Sequence, residues 1–350
     1  MKPPFEITPK ILNLTAEISD MIGRLEGARL KIPLVDLRRQ VDASSIHSSC
    51  VIEGNTLTLD QVTDVIRGKR VVGPKRDILE IKNAHKLYGM INEFDPLREK
   101  DLLRAHKVLM EGLVMTAGEF RKTGVAVATH GKVIHSAPPY KQVPDLITQL
   151  FGFIGQGKDL HGLITSSIFH YEFEFIHPFE DGNGRMGRFW QTLMLRQGRP
   201  AFNLVPIETE IRAHQQEYYG AIERANQAGK STVFVEFMLG VILEAVLGLE
   251  KFVSGRAKPS DRIAFMMKHC PQEFTRKEYM QIIGNIEMHT ASRDLREAVE
   301  QGLLKMKGSR ARAVYKKVYM GAKKDWEDVQ VARKEFKAGK SISWKSVKRS

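Results

Sequence analysis

The sequence predicts a mainly α fold: a helical core broken by one β-hairpin and followed by a small C-terminal module of helices and a second hairpin. Three observations predict it. Apolar residues return at three and four positions along most of the chain, as in Ile11, Leu12, Leu14, Ile18, Ile22 and Leu25, the period of a helix with one buried face. Strand-like signals are confined to Gly124–Pro139 and Leu303–Tyr315. A polar stretch with breakers, Ser254 to Ser260, follows the most apolar segment and reads as a linker. The expected organisation is an N-terminal helical region over residues 1–100, a core over 101–254, a C-terminal module over 255–320 and a basic tail over 321–350. No fixed-period repeat is present, which disfavours a solenoid.

In the first hairpin Val125 and Val127 alternate toward a His130-Gly131 turn, Val133 and Ile134 return, and Pro138-Pro139 closes it. The apolar run Phe234–Val253 is interrupted by Glu236, Glu244 and Glu250, carboxylates that would be costly at mid-bilayer. It reads as a buried helix, with no membrane partner. Met1 to Lys10 holds prolines and a glutamate and no secretory signal. Cys50 and Cys270 are the sole cysteines and lack CxxC spacing, which argues against a disulfide framework or structural zinc and fits a reducing cytoplasm. The 350 residues, 42% hydrophobic and 27% charged, suit a soluble globular protein. A formal net charge of +13 favours acidic partners such as nucleotides, nucleic acid or an acidic protein surface, and serves solubility equally well.

The chemistry is concentrated in one string. An apolar helix over Leu163–Ile176 runs into His177-Pro178-Phe179-Glu180-Asp181-Gly182-Asn183-Gly184-Arg185-Met186-Gly187-Arg188. A second helix follows, with Met186, Phe189, Trp190 and Leu193 on one face and Gly198 as its stop. Gly182, Asn183 and Gly184 allow backbone N–H groups to converge as an anion nest at a helix N-terminus, where the dipole also favours negative charge. Arg185 and Arg188 stand three residues apart on that first turn and can both lean toward a phosphate chain. Asp181 offers a hard oxygen suited to Mg2+, which bridges carboxylate and substrate phosphates. His177, with an ordinary pKa of about 6.5, can accept a proton from an attacking hydroxyl. Phe179, between two polar functions, reads as a core anchor. His161, His170 and His214 stand alone on helical stretches and read as satisfied or surface side chains.

This string resembles the signature of the Fic family, His-x-Phe-x-acid-Gly-Asn-Gly-Arg-x-x-Arg, with every specified position met. The resemblance covers about Asp101 to Gln227 and implies a Fic-type helical core that transfers AMP from ATP to a Ser, Thr or Tyr hydroxyl of a protein, or of itself, and releases pyrophosphate. It implies His177 as general base and Asp181 as the Mg2+ ligand. Gly182, Asn183, Gly184, Arg185, Met186 and Gly187 become the nucleotide-binding turn, and Arg188 the γ-phosphate ligand. It makes the hairpin a flap, with Val133, Ile134, His135 and Ser136 beside the nucleotide and the target segment. Tyr218, Tyr219 and Asn226 resemble positions lining the nucleoside pocket; core packing of a helix is the other reading of the two tyrosines.

Ser49-Cys50-Val51-Ile52-Glu53-Gly54 resembles the family's inhibitory motif. A helix over about Ser45 to Glu53, capped by Gly54, would present Glu53 to pair bidentately with Arg188 and withhold it from the γ-phosphate. Residues Ser260–Tyr315 resemble a winged helix. Ala291, Leu295, Ala298 and Val299 form the buried face of its third helix, with Thr290 as N-cap and Gly302 as stop. Ser292, Arg293 and Arg296 face outward. A hairpin turning at Gly308-Ser309 carries Lys305, Lys307, Arg310, Arg312, Lys316 and Lys317. That module implies a contact with DNA or with protein.

Three functions stay open at this point: the autoinhibited adenylyltransferase, the same site using another nucleotide or removing AMP, and a DNA-binding regulator whose core senses nucleotide. A homodimer is open too.

Overall fold

The computed structural model describes residues 3–27, 34–129, 132–156, 159–253, 257–269, 272–283, 286–308 and 313–318. The chain opens with α1 (Pro9–Gly27), which buries Ile11, Ile18, Met21, Ile22 and Leu25 at helical spacing. Leu12 is 57% exposed, so the apolar face is narrower than the sequence pattern implied. Helix α2 (Leu34–Ile52) begins well before the expected Ser45 and ends where expected. Gly54 takes a left-handed φ of 93°, and its N–H donates to the Val51 carbonyl at 2.9 Å. A side chain at that φ would be strained, so glycine sets the helix end.

Helix α3 (Leu59–Ile66) starts from a reciprocal capping box between Thr58 and Gln61. Then come α4 (Lys75–Gly89) and α5 (Glu99–Met110). The predicted hairpin forms from β1 (Ala126–Thr129) and β2 (Lys132–Ser136), antiparallel, with a register shift between Val127 and Ala128. Its His130-Gly131 turn lies outside the described residues, as do the side chains of 126–136. Six helices complete the core: α6 (Val143–Gln156), α7 (Gly162–Ile176), α8 (Asn183–Gly198), α9 (Ile207–Ala213), α10 (Gln215–Ala228) and α11 (Thr232–Val253).

Two apolar cores meet along α7. One joins α1, α10 and α11 through residues such as Ile18, Phe234, Met238 and Ile242. The other gathers Phe169, Phe173, Phe179, Met186, Phe189 and Trp190 beneath α8. Each such large side chain contributes about 1.5–3 kcal/mol on burial, so the turn between α7 and α8 is clamped from both sides. Helix α11 is long and apolar enough by composition to cross a membrane, yet 56% of that stretch is buried inside the protein.

The C-terminal module comprises α12 (Pro259–His269), β3 (Glu273–Thr275), α13 (Arg276–Ile283), α14 (Met288–Glu300), β4 (Leu304–Lys307) and β5 (Val314–Lys317). Its antiparallel sheet has the order β3-β5-β4. Strand β3 was not anticipated, because three residues are too few to show alternation. Helix α14 starts after Glu287, not at Thr290, and Val299 is only half-buried. Asp294 takes a place in the buried face instead, held by Arg262 at 2.6 and 2.8 Å and by the Tyr279 hydroxyl at 3.0 Å.

Two lysines of the expected basic wing are engaged: Lys316 pairs with Glu273, and the Lys317 ammonium donates to the Met267 carbonyl. Ser292 is not free-facing either, since it accepts from Arg276. Arg310, Arg312, Ser309, the 254–256 part of the linker and the basic tail lie outside the described residues. The module rests on α2 through α12 and α13, and Gln272 donates its backbone N–H to Asp60 at the start of α3.

Candidate active site

His177 ends α7 in a left-handed conformation, φ 49° and ψ 61°, as the one non-glycine residue with positive φ among those described. That conformation costs an L-residue about 1–2 kcal/mol, so the surroundings must impose it. Its N–H donates to the Phe173 carbonyl at 2.9 Å. Arg121, 1% exposed, donates Nε to the His177 carbonyl at 2.8 Å.

The turn that follows is fixed by three further devices. Phe179 is fully buried and stacks on His106 with ring centroids 3.5 Å apart. His106 accepts the Gly118 N–H on Nδ1, so its proton sits on Nε2, which donates to the Asp181 carbonyl at 3.0 Å. Burial pushes this imidazole down to a pKa of about 4 and keeps it neutral. Asn183 accepts the Phe179 N–H at 2.9 Å and returns a bond to the Phe179 carbonyl at 2.8 Å. Gly182 adopts φ 87°, and a Cβ there would lie 2.7 Å from the Met110 sulfur. Only glycine fits.

The two signature arginines do not converge on a common point. Arg185 donates to Glu80 and, at 2.8 Å, to Oδ1 of Asp181. Arg188 is 1% exposed; its Nε donates to Oγ of Ser49 at 3.0 Å, and Nη2 to the Ser49 carbonyl at 3.0 Å and to Oε1 of Glu53 at 2.7 Å. The expected bidentate Glu53–Arg188 fork is therefore replaced by one bond, because Ser49, one turn earlier on α2, takes the rest of the guanidinium. Burial works against the charge of Arg188, and the Glu53 carboxylate outweighs it, leaving the guanidinium pKa above its ordinary value. Glu53 also overhangs the nest: a Cβ on Gly184 would collide with its Oε1 and come within 3.1 Å of Arg188 Nη1.

Asp181 keeps a side chain 36% exposed and is held by Arg76 at 3.0 Å on Oδ2 and by the Gly182 N–H at 2.6 Å on Oδ1. One reachable carboxylate beside an anion-binding helix start fits a Mg2+ whose remaining ligands are phosphate and water. Arg76 and Arg185 balance its charge in this structure. Among the described residues, Glu210, His214 and Glu244 also bring ligand atoms within 4.8 Å of one another, and none of them belongs to the signature turn.

Behind the turn, Glu174 has no hydrogen-bond partner for Oε1 among the described residues, and burial pushes its carboxyl up to a pKa of about 8. A Cβ on Gly187 would approach that oxygen to 3.0 Å. His170 pairs with Gln191 at 2.6 Å and with the Tyr218 hydroxyl at 3.0 Å, and burial lowers its pKa to about 3. Tyr218 is 1% exposed and packs behind Arg188, in keeping with the core-packing reading of its ring. Met186 is likewise fully buried and offers the turn only its backbone. Tyr219 donates its hydroxyl to the Ile52 carbonyl at 3.3 Å, gripping the end of α2. Asn226 accepts from the Tyr171 hydroxyl at 2.9 Å. Strand β2, with Val133, Ile134, His135 and Ser136, lies alongside α10.

Helix α2 is anchored from below by Glu208, 1% exposed, which accepts hydroxyls from Ser45, Tyr88 and Thr192, each within 2.8 Å. Sequence reasoning missed Glu208, Glu80, Arg76, His106, Arg121 and Glu174. Each is a lone polar residue whose role depends on a partner between 16 and more than 100 positions away in most cases, and none carries a local signal.

Residues 96–195 match the Fic/DOC family model. The crystal structure of a Fic family protein from Desulfovibrio desulfuricans G20 is 39% identical, aligns over 92% of this chain and 100% of that one, and superposes with a TM-score of 0.68. A protein adenylyltransferase Fic of Culex quinquefasciatus is 31% identical over 204 residues, 55% of this chain and 38% of its own. Its Nematostella vectensis counterpart is 29% identical over 248 residues, 66% of this chain and 55% of its own. The chain thus spans about 38 to 55% of the length of these two curated relatives.

Proposed function

The chain belongs to the Fic/DOC family, and from that premise we propose that it is a protein adenylyltransferase whose resting state is inhibited by Glu53. The observation that carries the reading is the carboxylate of Glu53 on Arg188, above Gly184. A side-chain anion occupies the place the nest offers to a phosphate.

In the active state the target hydroxyl oxygen attacks the α-phosphorus of ATP, and the hydroxyl proton passes to the His177 imidazole. The bridging P–O bond on the far side breaks, and pyrophosphate leaves. Backbone N–H groups at the start of α8 hold the phosphates, Arg185 moves its charge from Asp181 to them, and Arg188 takes the γ-phosphate once Glu53 withdraws. Asp181 would hold Mg2+, which supplies charge neutralisation on the triphosphate. The β1–β2 hairpin would align the target segment by strand-like pairing. Relatives that bear the adenylyltransferase name support the nucleotide and reaction class.

The C-terminal module, read as a winged helix, keeps Arg293 and Arg296 exposed on α14 as its contact surface for a nucleic acid or a protein. Two cysteines without CxxC spacing support a cytoplasmic setting.

The test is transfer of label. The full chain carrying Glu53→Gly, with Mg2+ and each α-labelled nucleoside triphosphate in turn, is expected to label protein from ATP, and adding His177→Ala is expected to abolish labelling. Undiminished labelling by the His177→Ala form would overturn the assignment.

A further inference from the structure

We propose that Arg121 is a positioning residue that sets the His177 backbone and the β1–β2 hairpin in a single frame; the inference rests on the reading of His177 as proton acceptor. Arg121 is 1% exposed, and its partners among the described residues are main-chain carbonyls. Nε donates to His177 O at 2.8 Å and Nη2 to Ile176 O at 3.3 Å, while its own backbone N–H donates to Pro178 O at 2.9 Å. The same guanidinium reaches Thr123 O at 2.8 Å through Nη1 and Pro138 O at 2.5 Å through Nη2. Thr123 and Pro138 flank the hairpin on its entering and leaving sides.

Capping α7 alone would not require this arrangement. The last carbonyls of a helix are unsatisfied and carry the negative end of its dipole, so a cation on one of them is favourable by itself. Here one rigid plane spans both the strained end of α7 and the two limbs of the hairpin. A guanidinium has five donors in a fixed fork, whereas an ammonium is a point charge on a flexible stem. Loss of the fork lets the left-handed His177 and the hairpin move independently. In a reaction whose two partners are a base on one and an aligned hydroxyl on the other, a misplacement of about 1 Å costs on the order of 100-fold in rate. The phosphate-binding groups should be spared, since among the described residues no hydrogen bond joins Arg121 to Arg185 or Arg188.

The test uses the full chain in the Glu53→Gly background, comparing Arg121→Lys and Arg121→Met with His177→Ala. Self-transfer from ATP gives kcat and KM for ATP, calorimetry gives the ATP Kd, and hydrogen exchange reports the amides of 124–139 and 174–178. The expected result is a kcat lower by about 100-fold, with KM and Kd for ATP within about twofold, and faster exchange confined to those two segments. Lysine should rescue thermal stability more than rate. Arg121→Lys with kcat within about threefold of its parent would overturn the proposal. So would a loss of ATP binding and of protection throughout the protein, which is the mark of a merely structural residue. If His177→Ala still transfers label, the enzymatic reading fails instead, and the exchange pattern continues to decide the role of Arg121.

Discussion

Oε1 of Glu53 lies 2.7 Å from Nη2 of Arg188, a guanidinium that is 1% exposed and also donates twice to Ser49. Ser49 lies in the last turn of α2 and Glu53 in the turn directly after its end, so one end of a single helix both satisfies and occupies the arginine. Removing one partner of a buried pair costs about 3–5 kcal/mol because it strands the other charge. The cost is smaller here, since the Glu53 side chain is 29% exposed and Ser49 remains.

That stranded charge predicts a ligand effect on stability. Glu53→Gly should lower the thermal midpoint without nucleotide, and Mg-ATP should raise it by more than it raises the wild type, because only the variant presents an unpaired Arg188 to the γ-phosphate. Differential scanning fluorimetry with and without Mg-ATP measures both. Equal shifts in the two proteins would contradict it.

Gly184 offers a cycle that needs no nucleotide. A Cβ there would push Glu53 Oε1 off Arg188, so Gly184→Ala should destabilise the wild type by about 1–2 kcal/mol, the loss of one charged hydrogen bond. In the Glu53→Gly background the same change should cost little. Urea unfolding of the four proteins gives the coupling; an additive cycle would mean that the carboxylate does not overhang the nest.

Glu174 supplies a pH signature. Its carboxyl titrates at about 8 in the fold, raised by burial, against an ordinary value near 4.5. Between these values the folded state holds a proton that the unfolded state has lost, so its contribution is intact below about pH 4.5 and disappears as pH rises through 8. Glu174→Gln, which mimics the protonated form, should therefore gain on the wild type from pH 5 to 8, by on the order of 5 °C in midpoint, and level off above that. A constant difference across the range would refute the shift.

Much of the site was legible because its elements are local. The His177–Arg188 string places the proposed base, the proposed metal ligand and the nest within twelve consecutive residues, and Gly54 marks the end of α2 by a backbone conformation that only its kind of residue adopts readily. Helical periodicity likewise found most of the fold. What escaped was long-range. Arg121 sits in an irregular loop and meets Pro138 and His177 only after folding. Glu80 carries no local signal, because its partner Arg185 lies 105 positions further along the chain. Tyr218 and Tyr219 are adjacent in sequence, yet α10 turns the first into the core and the second toward Ile52, a difference of helical phase that pattern alone left ambiguous.

The proposed restraint rests on the Glu53 carboxylate at the end of α2. Its most direct test is the initial rate of label transfer from α-labelled ATP by the wild type and by Glu53→Gly at equal concentration. A rate at least about tenfold higher in the variant, as expected when roughly 1.4 kcal/mol or more of competition is removed, is the predicted result; equal rates would contradict it.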